Sequence, residues 1–85
     1  MGVDAKKPNR ILKARIKLGE RVGTLIREHG YPSMESFALA NALPKATLHQ
    51  VLKGIADPRY STLLRIADAL EIPIEEMIKN CAPNL

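Results

Sequence analysis

Five side chains within ten residues could do chemistry together. Lys45, Ala46, His49, Gln50 and Lys53 fall on the outer face of a helix expected over residues 44–54, whose inner face carries Thr47 (through its methyl), Leu48, Val51 and Leu52. The amide of Gln50 can bond adenine N6 and N7 together, and the ammonium of Lys45 can donate to guanine O6 and N7. Ala46 has no polar group, but its methyl can pack on a thymine methyl. His49 suits a base edge, a phosphate or plain solvent. Each good contact of this kind discriminates between bases by roughly 1–3 kcal/mol. Phosphates would fall to Ser33, Thr47, Lys53, Arg59 and Tyr60, with backbone N–H groups at the start of the preceding helix. The alternatives are bland ones: Lys45 and Gln50 as a solubilising face, Thr47 as a packing residue, and Tyr60 as a core ring with its hydroxyl at the rim.

Such side chains need a frame. Residues 33–40 read as a short helix with Phe37 and Ala38 inward, and Asn41-Ala42-Leu43 as a tight turn. Ser33 has the features of an N-cap, although the acidic residue follows at Glu35, one place early for a capping box. Asn41 is the residue in the turn best able to take a left-handed backbone. Upstream, residues 18–29 form a helix with Leu18, Val22, Leu25, Ile26 and His29 as its buried stripe. Gly30 ends it, and Tyr31-Pro32 turns the chain. Gly19 and Gly23 weaken this helix or permit close packing. Downstream, Asp57-Pro58 makes a turn and Ser61 caps a helix to Leu70 with Leu63, Ile66, Ala67 and Leu70 inward. Pro73 opens a last helix to about Asn80, with Ile74, Met77 and Ile78 inward and Glu75 and Glu76 in its first turn. Residues 81–85 read as a frayed end, and residues 1–9 as irregular chain. Between them, residues 12–18 alternate: Leu12, Ala14, Ile16 and Leu18 are apolar, and Lys13, Arg15 and Lys17 are basic. The period fits a strand, while the residue types equally suit a backward extension of the first helix.

The 85 residues suffice for one small domain with a modest core, so a partner chain would help to bury apolar surface. Net charge is +4 and unevenly placed. Lys6, Lys7, Arg10, Lys13, Arg15, Lys17 and Arg21 stand against Asp4 and Glu20, whereas the last third is acidic on balance. A positive front favours an oriented approach to a polyanion. Cys81 is the single cysteine, so an internal disulfide is excluded, as suits a reducing cytoplasm. Residues 1–5 lack the apolar run of a signal peptide, and no apolar run approaches ~20 residues, so no membrane span is expected. His29, His49 and Cys81 have no metal-ligand spacing, and neither a nucleophile–base set nor a Gly-rich phosphate loop is present. No cofactor or catalytic residue is expected, and the chain reads as a non-enzyme.

Residues 33–54 have the build of a helix-turn-helix. Over residues 18–78 the chain resembles the Cro and repressor (XRE, lambda-repressor-like) family. The run from its second helix to the end of its third has the family's length without a gap, with Phe37-Ala38, Leu43, Thr47-Leu48, Val51 and Gly54 matching. Asp57-Pro58-Arg59-Tyr60-Ser61-Thr62-Leu63, Ile66-Ala67 and Ala69-Leu70 match its fourth helix. Four positions depart. Ala42 stands where Gly is usual, Asn41 where Leu is common, Met34 where a Gln often meets DNA, and Leu52 where a Glu is frequent; the 30–32 link is also one residue longer. The resemblance implies a compact all-α domain of five helices over residues 18–80, with residues 1–17 as a basic extension and 81–85 as a tail. It places Lys45, Ala46 and Gln50 against base edges. It further implies a regulator of transcription, a repressor, in a bacterial cytoplasm or encoded by a phage. The partner would be double-stranded DNA, bound by a homodimer on an inverted repeat. In that setting Lys6, Lys7, Arg10, Lys13 and Arg15 form a DNA arm or a dimer strand. Two other functions share these features: the antitoxin of a toxin–antitoxin pair, and a protein-interaction module without DNA binding.

Overall fold

A computed structural model of the chain describes residues 6–55 and 57–81. Among the described residues there are five helices and no strand: α1 Lys6–Glu28, α2 Met34–Ala40, α3 Lys45–Lys53, α4 Tyr60–Ala69 and α5 Ile74–Met77. The described chain is all-α. None of these helices is long and apolar enough to cross a membrane.

The first helix departs most from expectation. Residues 12–18 are helix and not strand, and the helix reaches back to Lys6, through part of the segment whose composition predicts irregular chain. A strand here would need a neighbour to pair with, and none exists among the described residues. Leu, Ala, Lys and Arg all have high helix propensity, and Pro8 falls in the first turn, where its missing N–H costs nothing. Ile11, Leu12 and Lys13 are exposed, Arg10, Ala14 and Arg15 are half-buried, and full burial begins at Leu18 and Gly19. At the other end the buried stripe stops at Ile26. His29 is exposed, with its Nδ1 3.3 Å from the Leu25 carbonyl oxygen, rather than inward as its spacing predicts. Gly30, at φ 86°, has already turned the chain there.

The core is one cluster. Val22, Phe37, Leu70 and Met77 are fully enclosed, joined by Leu18, Leu25, Ile26, Leu48, Val51 and Ile66. Burying one such side chain stabilises the fold by roughly 1.5–3 kcal/mol. Tyr31 meets Phe37 edge to face, with ring centroids 5.0 Å apart at 81°. α1 runs along α3 and touches α2 and α5; α2 packs on α3, and α4 on α5. Two glycines set how closely α1 and α3 approach. A Cβ on Gly19 would stand 2.4 Å from the Leu52 carbonyl oxygen, and one on Gly54 would stand 3.1 Å from the Ile16 backbone.

Four helices end alike. Tyr31 N–H donates to Ile26 O (3.3 Å), Leu43 N–H to Ala38 O (2.9 Å), Ile55 N–H to Gln50 O (3.1 Å) and Ile72 N–H to Ala67 O (3.1 Å). In each, the residue before that donor is left-handed: Gly30, Ala42, Gly54 and Glu71.

The later elements differ in detail from their spacing. Ser61 lies inside α4 and does not cap it. The cap is Arg59, whose carbonyl accepts from Leu63 N–H at 3.1 Å. α5 is a single turn. Ile78 is exposed, Asn80 takes φ 64°, and Cys81 N–H returns to Ile78 O at 3.0 Å. That reversal buries Cys81 in the core instead of leaving it frayed. Burial raises its thiol pKa above the ordinary value, against the opposing charges of Arg21 and Lys17. Arg21 ties α1 to α5, donating to the Glu76 carbonyl at 3.1 Å and its carboxylate at 3.3 Å.

Candidate nucleic-acid interface

The frame of the site is α2, the turn and α3. Ser33 caps α2 through a reciprocal pair that its sequence hides behind the misplaced Glu35. Ser36 N–H donates to Ser33 Oγ (3.1 Å), and Ser33 N–H donates to Ser36 Oγ (3.2 Å). A serine at the third position thus does the work of the usual Glu or Gln. In the turn, Ala42 and not Asn41 is left-handed, at φ 54°, while Asn41 keeps φ −114°. The Asn41 side chain is occupied elsewhere: its amide donates to Phe37 O at 2.9 Å and to the Tyr31 hydroxyl at 3.4 Å. Arg65 of α4 donates to the Ala42 carbonyl at 3.0 Å and locks the turn from outside.

With Leu48 and Val51 buried, α3 turns Lys45, Ala46, His49, Gln50 and Lys53 outward, and all five are exposed. Thr47 is half-buried, and Ser33 and Arg59 are exposed. Tyr60, at 66% exposure, is no core ring. A groove runs along each side of α3. On the α1 side, His49 and Lys53 share it with Met34, Thr24 and Arg27. On the α4 side, Thr47 and Gln50 share it with Arg59, Thr62 and Arg65. Five of the expected residues are thus divided between the two flanks of one helix.

Three charged residues belong to this surface that the outer face of α3 does not reveal. Arg27, whose guanidinium donates to Thr24 Oγ1 at 3.3 Å, and Arg65 each line a groove. Glu35 forms an ion pair with Lys45, so the first turn of α2 stands beside the first turn of α3. The Lys45 hydrogen bond, then its charge, hold the Glu35 carboxyl below its ordinary value. Helical spacing offered a signal for Arg27. Lys13, Lys17, Glu20, Thr24 and Arg27 follow one i, i+4, i+7 stripe of α1. Nothing local marked Glu35 or Arg65, whose partners lie 10 and 23 residues away.

The basic extension is a helix, so its charges stand at fixed angles. Lys13 is exposed and Arg10 half-buried; the Lys6 and Lys7 side chains lie outside the described residues. Arg15 is directed to Asp57, Nη1 to Oδ1 3.5 Å, and so ties the start of the 57–59 segment to α1.

Fold and site together define an all-helical domain with an exposed polar and cationic helix face set between two grooves. Comparison with family models, with curated proteins and with solved structures gives no match to this chain.

Proposed function

We propose that this chain is a sequence-specific DNA-binding regulator of the Cro and repressor type, with α2 and α3 as its helix-turn-helix. One observation carries the reading. α3 buries Leu48 and Val51 and leaves Lys45, Ala46, His49, Gln50 and Lys53 exposed as one continuous face. That face holds an amide and an ammonium suited to base edges, and its flanking grooves hold Arg27, Arg59 and Arg65, suited to phosphates. Two copies would present α3 to successive major grooves, about 34 Å apart, on an inverted repeat. The mechanism is then repression by occluding a promoter.

Selection of bound duplexes from a random pool, repeated at several salt concentrations, tests this reading. The expected product is an inverted repeat bound more weakly as salt rises. Gln50→Ala and Lys45→Ala each lower discrimination at a base pair by roughly 1–3 kcal/mol. Arg59→Ala weakens binding to all sequences alike. A Gln50→Ala variant with unchanged preference would remove Gln50 from the reading set.

A second reading, the antitoxin of a toxin–antitoxin pair, draws support from the exposed Ile11, Leu12 and Ile16 on α1. It requires a protein partner that co-purifies with the chain and is lost when those residues are made polar.

A further inference from the structure

An acidic side chain stands where a polyanion would be read, and it is joined to a reading residue. Glu35 is the second residue of α2, Lys45 the first of α3, and their side chains form an ion pair. Both are largely exposed, at 63% and 62%. An exposed pair of this kind adds little to folding stability. Its placement matters more for what the ammonium can do.

We propose that Glu35 is a positioning residue for sequence reading: it holds the Lys45 ammonium at the start of α3, so that Lys45 serves a guanine edge and not the nearest phosphate. The inference rests on the DNA reading above and names the base pair it would recognise. A free lysine is a point charge on a flexible four-carbon stem. Beside a duplex it settles on phosphate oxygens, which carry no sequence information. Paired with Glu35, it loses most of that undirected attraction. One of its three donors is taken, and two remain for guanine O6 and N7. The carboxylate repels phosphates, and its other lone pairs suit the N4 amino group of the cytosine in the same pair.

The test uses the full chain and its selected operator, with every base pair of the half-site substituted in turn and with random duplex as a second ligand. For Glu35→Gln, binding to random duplex tightens and its salt slope steepens by about one unit. Preference for guanine at one position falls by roughly tenfold. Lys45→Ala loses preference at that same position, and adding Glu35→Gln to it changes the preference no further. A Glu35→Gln variant that binds every sequence more tightly by one common factor, with all base preferences intact, would overturn the inference and leave the DNA reading standing. A native chain without salt-sensitive duplex binding would overturn both, before any variant is made. Equal unfolding midpoints for Glu35→Gln and the native chain are expected, because the pair is exposed.

Discussion

Ala42 carries a backbone conformation that its side chain resists. At φ 54° its Cβ crowds the following carbonyl, a cost of about 1–2 kcal/mol relative to glycine's freedom there. The side chain is exposed, so it recovers nothing by packing. Ala42→Gly is therefore expected to stabilise the chain by roughly 0.5–1 kcal/mol, after the extra entropy of glycine in the unfolded state is subtracted. Urea denaturation checks it, and a lower midpoint would contradict the account. At this scale the sequence was legible wherever periodicity governs. Which side chains of α3 face outward followed from spacing alone. The left-handed position did not, because Asn41 is the better local candidate, and its amide is taken by Phe37 O and the Tyr31 hydroxyl. His29 and Ile78 also obey their helical spacing, yet stand outside the core because the chain turns away beside each.

Among the elements, α1 and α3 form the contact on which the outer face depends. Gly19 and Gly23 look alike in sequence, and the structure separates them. A Cβ on Gly19 would meet the Leu52 and Val51 carbonyl oxygens at 2.4 and 2.7 Å, whereas one on Gly23 finds its nearest neighbour, an Arg27 side-chain nitrogen, at 3.6 Å. Backbone oxygens cannot swing aside, so Gly19→Ala must push the two helices apart. The expected loss is about 1–3 kcal/mol. Gly23→Ala is expected to be neutral or to stabilise by about 0.5–1 kcal/mol, since alanine is the better helix former. Thermal unfolding of the two variants side by side is the measurement; equal effects would refute the close-approach argument. The extent of α1 is the matching lesson from sequence. Alternation over residues 12–18 fitted strand and helix alike. Helix prevails because its hydrogen bonds are satisfied within the segment, whereas a strand's are not.

For the whole molecule, the uneven charge becomes a shape. Because α1 is one helix from Lys6 to Glu28, the exposed Lys13 and Lys17 lie on the stripe that continues through Thr24 and Arg27 to the groove beside His49 and Lys53. If duplex DNA lies along that side, both lysines add to affinity without reading sequence. A Lys13→Ala, Lys17→Ala double variant should then shallow the salt slope by up to about 1.8 units and leave base preference unchanged. Binding titrations between about 50 and 200 mM salt measure it. An unaltered slope would place the duplex elsewhere.

By itself the sequence determined the helical class of residues 18–78, the inward stripe of α4, and the outward set on α3. Period and propensity are local properties that act within a few residues of each position. Tertiary structure alone decided that Glu35 meets Lys45, that Arg65 holds the turn, that Gly19 and Gly54 admit α1 against α3, and that Cys81 folds back into the core. Each joins residues distant in the chain, where loop closure and packing against other elements, and not local preference, select the partner.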